Sequence, residues 1–145
     1  MRKNTGMLLD HYKQDKTNRK YLKDMILSDS SKDTHLRLLW LKRGLEMIEM
    51  FFALMLSSKE VLNEKTEDLR PFLKIAYETC LKPFHSPTIQ FLFLVRGGIT
   101  TLPQRSSFFG SGAKFQDNIK QIRPLQSHMK RYIVKINELY RQYNL

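Results

Sequence analysis

From Asp33 to Ser57 the chain carries apolar residues on two adjoining helical faces, and this stretch limits the fold more than any other. Leu36, Trp40, Arg43 and Met47 recur at spacings of three and four residues, so they share one face. Leu38, Leu41, Leu45, Ile48, Phe52 and Met55 form a second face beside it, and Lys42, Glu46 and Glu49 leave only a narrow polar strip. A helix apolar nearly all round must be covered on both sides, so the rest of the chain is expected to pack around it.

The flanking segments also read as helices. Residues 4–14 turn Met7, Leu8 and His11 or Tyr12 inward, and residues 18–27 turn Tyr21, Leu22, Met25 and Ile26 inward, with Thr17 as a cap. The polar string from Ser28 to Asp33 reads as a loop, and residues 57–65 as a charged, flexible linker. Thr66-Glu67-Asp68 opens a helix through Leu81, with Pro71 in the first turn, where a missing N–H is tolerated. His85-Ser86-Pro87 reads as a cap and first turn before the apolar run 89–95, which Gly97-Gly98 ends. That run fits a helix or a buried strand, and it is assigned to helix because no second strand candidate exists to pair with it. Residues 102–112 read as a loop or short helical turn holding Phe108 and Phe109, and residues 115–143 as a long helix bent at Pro124. The expectation is an all-α chain of seven or eight helices, one domain over residues 1–145. Layers of helices can enclose a hydrocarbon pocket.

Composition narrows the function. A chain of 145 residues buries roughly two thirds of its unfolded surface and can stand without disulfides. The lone cysteine, Cys80, permits no internal disulfide and fits a reducing compartment, so a cytoplasmic address is expected. The first residues lack the pattern of a secretory signal, and the greasiest run, 45–56, is shorter than the roughly 20 residues of a spanning helix. A net charge of +11 favours anionic surfaces, either phospholipid headgroups or nucleic acid. The basic residues are scattered in small groups such as Arg19-Lys20 and Lys130-Arg131, so a solvated basic surface is the plainer explanation and no nucleic-acid partner is expected.

No catalytic signature emerges. His11, His35, His85 and His128 lie far apart with no cysteine cluster or HExxH motif, so no metal is expected. Neither a glycine-rich phosphate loop nor a GxSxG elbow occurs, and no cofactor and no enzymatic activity are expected. What remains is a sugar-sized aromatic plate, Trp40, and a hydrogen-bonding imidazole, His85, on apolar helices. That pairing suits a lipid with a polar head.

The run Leu39-Trp40-Leu41-Lys42-Arg43-Gly44-Leu45, then Ala76-Tyr77-Glu78 and Leu81-Lys82-Pro83-Phe84-His85, resembles the glycolipid transfer protein family in order and spacing. The likeness extends over about residues 4–144 and is strongest over 38–93. It implies a two-layer helical sandwich that carries one sphingolipid without catalysis, the chains in a hydrophobic tunnel. It implies that Trp40 is the platform on which the first sugar stacks. By the same likeness His85 hydrogen-bonds the ceramide amide region, Asn4 contacts the headgroup sugar, and Leu36, Met47, Leu81 and Phe93 line the tunnel. Arg43 is a further headgroup candidate. An indole face suits the C–H face of a sugar and suits a phosphate poorly. The ceramide-1-phosphate branch resembles the chain less, having an arginine where Trp40 stands.

The chain departs from the family pattern at several points. The family's lipid-binding aspartate lies one helical turn before the match to Asn4 and would precede Met1, so an N-terminally truncated member missing the first helix is expected. Met7 stands where the family has a headgroup lysine, and Pro87 where it has a membrane-inserting tryptophan. Docking then leans on basic charge, worth about 1 kcal/mol per Lys or Arg near an anionic surface. The C-terminal tyrosine segment that closes the family's site is expected to be missing beyond Leu145.

Taken singly, each residue also has a purely structural reading. Trp40 fits a core aromatic, His85 a helix-start residue bonded to backbone, Asn4 a cap, and Arg43 a partner for Glu46 or Glu49. Their joint recurrence carries the expectation of a cytoplasmic protein, peripheral at membranes, that binds glycosphingolipids and transfers them between membranes. No obligate protein partner is expected. The alternatives are ceramide-1-phosphate transfer, or a helical interaction module inactive in transfer.

Overall fold

The computed structural model describes the backbone of residues 2–4 and the full structure of residues 5–28 and 33–144. The chain runs through α1 (Arg2–Gln14), α2 (Leu22–Leu27), α3 (Asp33–Ser57), α4 (Lys59–Leu62), α5 (Arg70–Cys80), α6 (Pro87–Phe91), α7 (Arg105–Phe109) and α8 (Gly112–Gln142). A 3₁₀ turn, Lys82–Phe84, precedes α6 and a π turn, Leu92–Arg96, follows it. No strand occurs among the described residues, as the all-α reading required. Most of the loop expected from Ser28 to Asp33 lies outside the described residues.

The chain divides into two compact units, residues 1–45 with 132–145, and residues 46–131. In the first, Ile26 of α2, Leu38 of α3 and Ile136 of α8 are buried together, with Leu22, Leu139 and Tyr140 packed against them. Full burial of such side chains is worth about 1.5–3 kcal/mol each. Three polar ties fix the same elements. His35 Nε2 donates to the Ile26 carbonyl at 2.9 Å, the Tyr140 hydroxyl donates to the His35 carbonyl, and Lys42 Nζ donates to Asn137 Oδ1 at 2.9 Å.

The helix expected from residue 18 starts only at Leu22. Asp15 draws the preceding segment into a turn, accepting from the Asn18 backbone N–H at 3.1 Å and from the Asn18 amide at 2.9 Å. Thr17 therefore does not cap α2, whose N-cap is the extended Tyr21 without a side-chain bond.

In the second unit Phe51 and Met55 of α3 join Val61, Leu69, Ala76, Phe109, Phe115, Ile119 and Ile122 in one core. The spacing of four and three from Phe115 to Ile119 to Ile122 turns one stripe of α8 onto it. Residues 57–65 are not the flexible linker expected. Ser58 accepts from the Val61 N–H and caps α4, and Val61 is fully buried in the core. The helix expected to open at Thr66 begins at Arg70 instead. Thr66 Oγ1 accepts from the Asp68 N–H and Asp68 Oδ1 from the Arg70 N–H, two local turns that compete with helix. Pro71 does fall in the first turn of α5, and Pro124 stands inside α8, where it removes one backbone bond.

A buried guanidinium organises this unit. Arg105 is 2% exposed, donates to Glu67 Oε1 at 2.6 Å, Thr66 O at 3.0 Å and Gly110 O at 3.1 Å, and lies 3.3 Å from Glu64. Its guanidinium also sits 4.7 Å from the Phe115 ring centre. Gly110 ends α7 at φ 76°, a conformation that strains any residue with a Cβ. No helix among the described residues is long and apolar enough to cross a membrane.

Candidate functional site

Trp40 lies half-buried in α3. Arg43 follows at three residues, and its guanidinium sits 5.0 Å from the indole centre. The same guanidinium acts on Tyr140, whose phenol is pushed up by burial and pulled partly back by Arg43. A cation is therefore placed beside the aromatic plate. Leu36, one turn before Trp40, is 53% exposed. Asn4 belongs to α1 by its backbone, and its side chain lies outside the described residues.

His85 is set by the end of α5. The Leu81 N–H donates to the Tyr77 carbonyl, and the 3₁₀ turn then delivers His85 in extended backbone, φ −96° and ψ 141°. Ser86 caps α6 by accepting from the Ile89 N–H, as its position before Pro87 suggested. Gln90 Nε2 donates back to the carbonyls of Lys82 at 3.1 Å and His85 at 2.9 Å, tying α6 to the turn.

The imidazole itself meets a buried tyrosine. His85 Nδ1 lies 3.1 Å from the hydroxyl of Tyr77, and the two rings are tilted at 45° with centres 5.7 Å apart. Tyr77 is 0% exposed, and burial raises its phenol above the ordinary range, so it stays a neutral hydrogen-bonding group. Phe93 stacks on Tyr77 at 3.9 Å and 12°. The structure thus brings together His85 and Phe93 through Tyr77, named from the sequence only within the Ala76-Tyr77-Glu78 segment. The available signal was chemical: a buried phenol needs a polar partner, and an imidazole eight residues on, past a helix end, is within reach. Leu81 is buried, and Met47 packs against the core of the second unit.

The surface near His85 is greasy. Phe84, Ile89, Phe91, Leu92 and Val95 are all exposed, Phe91 by 56%. Pro87 opens α6 within this segment.

No group of three or more metal-ligating side chains occurs among the described residues. The Cys80 thiol lies 3.9 Å from Met50 Sδ and is pushed up by burial, then by Glu46 and Glu49, which leaves it protonated and poorly nucleophilic. The arrangement offers stacking, hydrogen bonding and apolar contact.

A family model described as glycolipid transfer protein matches residues 1–114. Among solved structures, HET-C2, a fungal glycolipid transfer protein, is similar with a TM-score of 0.78 at 18% identity, over 95% of this chain and 68% of that one. No curated protein sequence matches the chain. At that identity the structural likeness shows the all-α fold, while the family model spans most of the sequence and contains the Trp40 and His85 segments. The chain belongs to the glycolipid transfer protein family.

Proposed function

We propose that this protein binds a glycosphingolipid and carries it between membranes as a non-enzymatic, cytoplasmic carrier that touches membranes peripherally. One observation carries the reading. In a chain matched to the family, His85, which the sequence likeness assigns to the ceramide amide, has its ring held by a buried tyrosine hydroxyl. A merely solvated histidine needs no such support. A Tyr77 hydroxyl that donates to Nδ1 selects the tautomer protonated at Nε2, and that N–H is a donor suited to an amide carbonyl.

In this reading Trp40 and Asn4 take the first sugar, and Arg43, held over the indole, donates to its hydroxyls. The lipid chains lie against Leu36, Met47, Leu81 and Phe93. Their burial supplies affinity at about 0.8 kcal/mol per CH₂, while the polar groups supply selectivity. The exposed side chains of Phe84, Ile89, Phe91, Leu92 and Val95 form the membrane-contacting patch, and the net charge of +11 adds attraction to anionic headgroups.

Trp40 is the sole tryptophan, so its emission reports on the proposed platform without interference. Titration with neutral vesicles containing galactosylceramide should change that emission saturably, and ceramide-1-phosphate vesicles should not. No change with galactosylceramide, or an equal response to both lipids, would contradict the proposal.

A further inference from the structure

The solvent face of α8 carries cations that few carboxylates match. Lys120, Arg123, Ser127 and Lys130 follow one another at spacings of three, four and three residues, so they form one stripe about 15 Å long, and all four are exposed. Ile119 and Ile122, on the other side of the helix, hold it to the core of the second unit. From Asn118 to Asn137 the sequence has no Asp or Glu. Lys120 reaches Asp117 at 3.5 Å, but both side chains are largely exposed, so water and salt screen the pair. Arg123, Lys130 and the neighbouring Arg131 pair with no carboxylate among the described residues. Like charges three or four residues apart weaken a helix, so folding alone does not account for the stripe.

An apolar hollow borders it. Arg123, Gln126 and Ser127 of α8 line, with Ala53, Leu56 and Ser57 of α3, an open groove of about 430 Å³. Because α3 ends at Ser57, its last carbonyls bring partial negative charge to the groove, and an anion is better placed on the stripe than inside it. Ala53 and Leu56 suit the apolar part of the same ligand. Cations beside apolar surface are the pattern of a helix lying at a membrane interface. A surface for single-stranded nucleic acid would add aromatic plates for the bases, and the sequence has no Phe, Tyr or Trp between Phe115 and Tyr132.

We propose that the stripe of Lys120, Arg123 and Lys130 is a docking surface for anionic phospholipid, with headgroup phosphates along the cations and the lipid's apolar part against Ala53 and Leu56. It gives the protein a preference for membranes of negative surface charge, by a contact separate from the exposed apolar residues around α6. The proposal concerns the membrane and not the cargo, so vesicles free of glycolipid test it apart from the carrier reading.

The full chain is co-sedimented with phosphatidylcholine vesicles, with and without phosphatidylserine, over a range of salt concentrations. Phosphatidylserine should raise wild-type binding, and salt should remove the gain. Arg123→Gln combined with Lys130→Gln should lower affinity for phosphatidylserine vesicles about thirtyfold, a factor of about five for each cation removed, and leave binding to neutral vesicles unchanged. Lys16→Gln combined with Lys74→Gln removes the same charge at exposed positions elsewhere and should lower it less than about threefold. A thermal melt of each variant checks the fold. By ¹⁵N NMR, soluble short-chain phosphatidylserine should shift the amides of residues 53–57 and 120–130, and phosphatidylcholine of the same length should shift them less.

Binding indifferent to phosphatidylserine, equal losses in the two double variants, or amides of the stripe unmoved would each overturn the surface. So would binding to duplex RNA that is tighter than to phosphatidylserine vesicles and is lost with Arg123→Gln and Lys130→Gln.

Discussion

Replacing Tyr77 by phenylalanine removes one hydroxyl and keeps the ring, so the 3.9 Å stack on Phe93 survives and only the bond to His85 Nδ1 is lost. Such a bond is worth about 0.5–1.5 kcal/mol net, and because His85 is only half-buried water can reach the vacated nitrogen, which places the loss near the lower end. Thermal unfolding should therefore move down by only roughly 1–2 °C. Glycolipid binding should suffer more. An imidazole released from Tyr77 samples several orientations and both neutral tautomers, and affinity for galactosylceramide should fall about three- to tenfold. The assay is the Trp40 emission titration on wild type, Tyr77→Phe, His85→Ala and the double variant, with a thermal melt of each. If Tyr77 acts through His85, adding Tyr77→Phe to His85→Ala changes binding no further. Additive losses in the double variant would refute the coupling, and so would a single variant that melts lower and binds normally.

Arg105→Ala removes a buried side chain and leaves the carbonyls of Thr66 and Gly110 without their donor, which should cost about 2–4 kcal/mol, read as a lowered urea midpoint. Glu67 predicts the acid limb of stability. The Ser106 backbone N–H first, then the Ser106 hydroxyl and Arg105, hold its carboxyl below the ordinary range. A depressed folded value means that its contribution is complete above the unfolded value and fades as pH falls through the folded one, so stability should decline below about pH 4–5. Glu67→Gln should flatten that decline in chemical denaturation measured across pH. The paired change Phe91→Ser and Leu92→Ser removes exposed apolar area, so it should reduce co-sedimentation with neutral vesicles about tenfold without lowering the melting temperature.

Much of the fold was readable because its causes are local. The limits of α3 follow from its apolar run, the start of α6 from Ser86-Pro87, and the first turn of α5 from Pro71. The errors sit where side chains or distant partners redirect the backbone. Asp15 and Asn18 turn the segment that apolar spacing alone would make helical. Residues 66–69 stay irregular because Glu67 and Thr66 are committed to Arg105, 38 and 39 residues away. The buried Arg105 could not be foreseen, since a lone arginine before two serines looks like surface. At the candidate site Trp40 and His85 stood out by type and spacing. The guanidinium over the indole and the tyrosine behind the imidazole are visible only in the folded chain.

The central claim is carriage of a glycolipid, and it is tested most directly by transfer of a fluorescent galactosylceramide from donor to acceptor vesicles of neutral lipid. The account predicts protein-dependent transfer by the wild-type chain, reduced to near background by Trp40→Ala in a protein that still unfolds cooperatively. Absence of transfer by folded wild type, or undiminished transfer by Trp40→Ala, would contradict it.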